Sequence, residues 1–175
     1  SFPTRRSSDL KGAVMNKTYF LGSNTAYGFF GDFSHLTRGK TVILKGGAGT
    51  GKSTLMKKVN EIALDAGFMT ETYRCSSDVS SFDAVFVPSK NFAVIDGTSP
   101  HVTEAEIPLV SGFVFNLLDA ADEKKIAPYK DDIKYAVSCK KQYFNDAYCN
   151  LNCANLIFEN NKRKLSAAFN KAVAK

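Results

Sequence analysis

Cysteine is scarce in this chain. Four residues (Cys75, Cys139, Cys149 and Cys153) among 175 are too few to staple a small secreted domain. No apolar run comes near the ~20 residues needed to cross a bilayer, and no charged stretch leads into an apolar one as a secretory signal would. The expected compartment is therefore the reducing cytoplasm, away from membranes. Neither an internal repeat nor a low-complexity tract is visible. The composition, 44% apolar and 23% charged, excludes a collagen-like repeat and a disordered tail. What is left is ordinary globular sequence, about one domain by length.

The net charge of +6 is carried in part by Arg5, Arg6 and Lys11. Ser1–Leu10 (SFPTRRSSDL) reads as neither a structural element nor a targeting signal, and it resembles translated sequencing-adapter read-through. Residues 1–14 are accordingly set aside as a non-native or disordered leader, with Met15 as the expected start. The other reading is a short basic arm touching anionic partners. The charge on the remainder is too diffuse to indicate nucleic-acid binding.

Tyr19–Phe33 is rich in glycine and aromatics, with Ser23-Asn24 as turn formers. It reads as a lead-in loop whose aromatics pack on a sheet edge, base stacking being the alternative. Thr41–Lys45 (TVILK) is a short β-branched strand. From Lys52 onward, Leu55, Met56, Val59, Ile62 and Ala63 recur at helical spacing up to Gly67. Phe68–Cys75 alternates, with Met69, Glu71 and Tyr73 on one face, as an edge-type strand does. Ala84–Val87 and Phe92–Ile95 are two apolar strands joined across Pro88–Asn91. Strand, helix and strand in alternation argue an α/β fold with a parallel sheet. Phe113–Leu118 fits a strand or a buried turn of helix. From Tyr129 to Phe158 the apolar residues Ile133, Val137, Phe144, Tyr148 and Leu151 recur at helical intervals. Leu165–Val173 resumes after the polar break Glu159–Lys164, which predicts a helical hairpin. The expected layout is a core over 15–128 and a helical hairpin or insertion of the same domain over 129–175.

Between the TVILK strand and the helix lies Gly46-Gly47-Ala48-Gly49-Thr50-Gly51-Lys52-Ser53, followed by Thr54. It fits G-x-x-x-x-G-K-[ST] at every fixed place, in the strand–loop–helix setting the motif needs. Glycines let the backbone curl so that successive N–H groups point at phosphate oxygens, and the helix N-terminus adds to that field. Gly46 through Thr54 are therefore the expected nucleotide-binding residues. Lys52 would reach the β- and γ-phosphates and the Ser53 hydroxyl would ligate Mg²⁺. A chance glycine-rich turn is the other reading. A P-loop also needs a carboxylate at the end of a buried strand to hold the Mg²⁺ shell. Phe92-Ala93-Val94-Ile95-Asp96 has that form, so Asp96 is the expected metal residue. An ordinary strand-to-loop aspartate is the alternative, and Asp83 is the runner-up.

Two further absences narrow the chemistry. No [NT]-K-x-D guanine-reading motif occurs, since Asn161-Lys162-Arg163-Lys164 lacks the Asp, and ATP is thus the preferred nucleotide. Past the leader only Arg38, Arg74 and Arg163 remain, too few for the arginine-lined lid of a nucleotide-monophosphate kinase. Gly97 stands where many ATPases carry a water-activating Glu. His101 and Glu104 are the candidate catalytic residues, sensing the γ-phosphate or orienting water, with a plain surface loop as the alternative. Cys149 and Cys153 are one helical turn apart, but nothing completes a four-ligand metal set. They read as buried, inert thiols.

Three segments taken together, Tyr19-Phe20-Leu21-Gly22-Ser23-Asn24-Thr25-Ala26-Tyr27-Gly28-Phe29, Ile43 through Lys58, and Asp96-Gly97-Thr98-Ser99-Pro100-His101, resemble the bacterial, Firmicutes-type ATP-binding proteins that carry two P-loop modules in tandem. The resemblance runs from about Met15 to the C-terminus. It implies a P-loop NTPase-type sheet flanked by helices, a helical insertion after Asp-Gly-Thr, and further strands beyond it. The chain then reads as the N-terminal module, cut short, with an incomplete sheet and a second P-loop module downstream as its expected partner. Two functions follow as expectations. One is a Mg²⁺-dependent ATPase or phosphoryl-transfer module. The other is a nucleotide-dependent regulatory switch with little turnover.

Overall fold

The computed structural model describes residues 15–99 and 102–173. The leader assigned to 1–14 lies outside the described residues, as does His101. In chain order the strands are β1 (Asn16–Tyr19), β2 (Gly22–Thr25), β3 (Gly28–Gly31), β4 (Lys40–Lys45), β5 (Thr70–Arg74), β6 (Phe82–Val87), β7 (Phe92–Asp96) and β8 (Gly112–Asn116). The helices are α1 (Lys52–Asp65), α2 (Glu123–Ile126) and α3 (Lys130–Val173). The chain forms two compact units. One runs through Gly22 and resumes over Gly31–Ala121; the other joins Ser23–Phe30 to Asp122–Lys175.

The first unit is a six-stranded sheet in the order β1-β5-β6-β7-β4-β8. β7, β4 and β8 are parallel, as are β1 and β5, but β6 runs against both of its neighbours. The parallel sheet expected from the sequence is therefore corrected to a mixed one. Connection length is the reason. Only a 3₁₀ turn, Pro88–Lys90, and Asn91 at φ 45° join β6 to β7, whereas a parallel crossover takes roughly a dozen residues or more.

Strand alternation sorts the core onto two faces. Leu44, Val94, Val85 and Phe82 meet Met56 of α1 on one face. Ala93, Ile95, Ala84 and Tyr73 meet Phe33 and Leu36 on the other. Asp96 lies two residues beyond Val94, so the period of two sets it on the α1 face. β5 is not an edge strand, because β1 covers it. Thr70 and Thr72 are fully buried there, and their hydroxyls donate to Asn16 Oδ1 at 3.2 and 3.3 Å. At the opposite edge, Phe113, Val114 and Phe115 of β8 remain 56%, 63% and 52% exposed.

In the second unit, Tyr19–Phe33 proves to hold a hairpin rather than a loop. Ser23-Asn24 lies inside β2, and the chain reverses at Ala26-Tyr27. There the Thr25 hydroxyl donates to Gly28 O at 2.7 Å and accepts from Tyr27 N–H at 3.1 Å. The expected helical hairpin is corrected to one helix, α3, of 44 residues. Glu159–Lys164 is polar but holds neither Gly nor Pro, and Glu, Lys and Arg are good helix formers; a Lys162–Glu159 pair at 3.7 Å spans it. No residue of α3 is buried. Its polar contacts include Tyr148 OH to Asn24 Oδ1 at 2.9 Å and Asn155 Nδ2 to Tyr27 OH at 3.2 Å. Among the described residues, no helix is long and apolar enough to cross a membrane.

Candidate functional site

β4 leads directly into the glycine loop, and α1 opens on Lys52 with Gly51 as its N-cap. Gly46, Gly49 and Gly51 have φ of 142°, 80° and 92°, a region that side chains disfavour. A Cβ on Gly46 would also stand 2.7 Å from Thr50 Oγ1. The Lys52 side chain folds back over the loop and is nine-tenths buried. Its ammonium donates to Gly46 O at 2.6 Å and Gly47 O at 2.8 Å, and lies 3.8 Å from Asp96 Oδ2. Ser53 Oγ accepts from Phe82 N–H at 3.0 Å, which leaves the hydroxyl one further lone pair and its proton. Gly47, Ala48 and Gly49 are exposed along the loop.

The segment after Asp96 is stitched to the same loop. Thr98 N–H donates to Asp96 Oδ1 at 2.8 Å, so Oδ2 is the oxygen turned toward Lys52. The Thr98 hydroxyl donates to Gly46 O at 3.0 Å, and Gly97 N–H donates to Leu44 O at 3.0 Å. Lys45 Nζ closes the set by donating to Gly97 O at 2.6 Å. Lys45 carried no signal in the sequence, because a lysine at a strand end is commonplace. Its role comes from β4 and β7 being parallel neighbours in register, Leu44 opposite Asp96. Gly97 is buried, and a Cβ there would run into the Ile43 side chain and stand 3.1 Å from Lys45 Nζ. The structure thus brings together Lys52, Ser53 and Asp96 at one end of the sheet. The oxygen donors there, a serine hydroxyl and a carboxylate, are of the hard kind that suits Mg²⁺.

Glu104 is elsewhere. It lines a cleft of about 300 Å³ with Asp32, Phe33, Ser34, Thr37 and Thr103. The Leu36 carbonyl beside this cleft accepts from Thr41 Oγ1 at 3.1 Å, near the start of β4, whereas the glycine loop follows its end. Hydrogen bonds from Ser34, side chain and then backbone, hold the Asp32 carboxyl below its ordinary range. Cys149 and Cys153 are exposed rather than buried, because α3 has no buried face. Among the described residues, no cluster of three or more His, Cys, Asp or Glu could hold a metal. Comparison with models of protein families, with curated proteins and with solved structures finds no match for this chain.

Proposed function

We propose that the chain is a Mg²⁺-dependent ATP-binding P-loop protein. The observation that carries this reading is the convergence on Gly46–Ser53 of a buried lysine, a strand-end carboxylate and a loop of positive-φ glycines. Lys52 would exchange its carbonyl contacts for β- and γ-phosphate oxygens. The glycine-loop N–H groups and the α1 N-terminus would cradle the phosphates. Ser53 and Asp96 would hold Mg²⁺, which bridges phosphate oxygens and offsets their charge. The test is calorimetric titration with ATP and Mg²⁺. Charge-assisted hydrogen bonds contribute about 1.5–3 kcal/mol, so Lys52→Ala is expected to weaken binding by about 10–100-fold. Equal affinity of the two forms would overturn the reading.

Gly97 supports a second reading, the nucleotide-dependent switch with little turnover. The close approach of Ile43 and Lys45 leaves no space at position 97 for a water-activating carboxylate. Steady Mg²⁺-dependent phosphate release would favour the ATPase or phosphoryl-transfer reading. Tight ATP binding with negligible release would favour the switch. In either case the resemblance to tandem P-loop proteins makes a second P-loop module the expected partner.

A further inference from the structure

We infer that α3 is a docking surface for an acidic amphipathic helix of another protein, the two winding together as a coiled coil. Every seventh residue from Val137 onward is apolar: Val137, Phe144, Leu151, Phe158, Leu165 and Ala172. These occupy the a position of a heptad. The d position holds Ile133, Ala147, Ala154 and Ala168, with Lys140 and Asn161 as its polar members. Bulky a residues beside small d residues form a seam of knobs and hollows that another helix can fill. A straight α-helix drifts about 20° per heptad against a strict seven-residue repeat, or about 100° from Val137 to Ala172. A flat surface would lose such a row, whereas a helix that supercoils with α3 stays on it. The seam is open to receive one. No residue of α3 is buried, and Val137, Phe158 and Leu165 are 62%, 63% and 71% exposed. The β2–β3 hairpin meets α3 through Tyr148 and Asn155, both e residues, beside the seam rather than on it.

Charge decides the partner. Positions e and g flank the seam and face the flanks of whatever helix docks there. Their charged residues are all lysines, Lys134, Lys141 and Lys162 at e and Lys164 and Lys171 at g. The acidic residues of α3, Asp131, Asp132, Asp146 and Glu159, all fall at b or c, away from the seam. A second copy would therefore bring lysine flanks to lysine flanks with no carboxylate between them. In a parallel pair it would also set Lys140 against Lys140 in the seam. A helix with glutamate or aspartate at its own e and g positions meets these lysines with opposite charge, which is how such positions set partner choice.

The test is fluorescence anisotropy of the full chain with a labelled synthetic peptide of about four heptads, the length at which a coiled coil declares itself. The peptide carries leucine at a and d and glutamate at e and g. It should bind about 10–100-fold more tightly than the same peptide with lysine at e and g. Phe158→Ala/Leu165→Ala should weaken binding by about 10-fold or more with urea denaturation unchanged, since neither side chain is buried in the free chain. Asn160→Ala, at c, should bind as wild type does. Lys162→Glu/Lys164→Glu/Lys171→Glu should reverse the preference between the two peptides, which a merely sticky apolar helix would not do. No saturable binding of the acidic peptide, equal affinity for the two peptides, or a preference that survives the charge reversal would overturn the inference. So would a dimer in sedimentation velocity that Phe158→Ala/Leu165→Ala abolishes, which would give the seam to a second copy. Binding to phosphatidylserine vesicles with none to either peptide would make α3 a membrane face and overturn it equally. None of these outcomes touches the ATP-binding reading.

Discussion

The sheet and the long helix are held by opposite means. Around β4 and β7, Ile43, Leu44, Met56, Ala93 and Ile95 are wholly buried, and each strand is defined by what lies above, below and beside it. Along α3 no side chain is buried; its regularity comes from propensity and local pairs. The difference teaches where stability and precision reside. A site on the sheet inherits fixed positions from several strands at once. Residues of α3 answer chiefly to their neighbours one turn away.

This contrast can be broken by substitution. The largest effect is expected at Met56, whose truncation to Ala should destabilise the fold by about 2–5 kcal/mol through lost burial and a residual cavity. Phe158→Ala on α3, where the ring is 63% exposed, should stay within about 0.5 kcal/mol. Urea denaturation of both variants is the check, and comparable losses would erase the distinction. Next comes Gly97→Ala. Its Cβ would force Ile43 aside, costing about 1–3 kcal/mol as overpacking does, and should lower ATP affinity by disturbing Asp96 and Thr98. Pairing it with Ile43→Leu, which lacks the γ2 methyl at the point of contact, should restore part of both, read by melting and calorimetry.

A pH series sharpens the same comparison. Burial, then the hydrogen bond of 2.8 Å to Glu71, raises the pKa of Tyr73. An acid whose folded pKa lies above its unfolded value of about 10 contributes in full below that pH. As pH rises past about 10, ionisation favours the unfolded chain, and stability should fall by up to about 1.4 kcal/mol per pH unit. Tyr73→Phe should flatten that slope in urea titrations between about pH 9 and 11. A modest effect is expected for a tertiary contact within the second unit. Tyr148→Phe removes one part-buried hydrogen bond to Asn24, worth about 0.5–1.5 kcal/mol, and hydrogen exchange at the Thr25–Gly28 turn should quicken only slightly.

Much of the sheet was legible because burial writes itself into sequence. TVILK, AVFV and FAVID are apolar runs, and each became a strand. β1 was hidden because Asn16-Lys17-Thr18-Tyr19 is polar and exposed throughout; only its pairing with Thr70 and Thr72 makes it a strand. The direction of β6 was readable in principle from the brevity of Pro88–Asn91, which strand–helix alternation outweighed. Polarity at Glu159–Lys164 does not break α3, because helices stop at Gly or Pro far more readily than at charged residues. At the site, Lys52, Ser53 and Asp96 followed from local patterns. Lys45 depends on strand register and Thr98 on the turn after β7, which no local pattern encodes.

The exposed edge at β8 bears on behaviour in solution. From Ile107 to Leu118 the chain carries no charged residue, and among the described residues β8 ends the sheet with no strand on its outer side, beside the exposed Phe113, Val114 and Phe115. Natural edges are usually guarded by a lysine, a proline or a bulge, and short uncharged apolar segments of this kind drive self-association. This chain should therefore be handled dilute and at low ionic strength, where its net charge of +6 keeps molecules apart over about 10–30 Å. Val114→Lys, at a position paired with Ile43 in mid-strand, is the simplest way to make it tractable at the concentrations the binding measurements require.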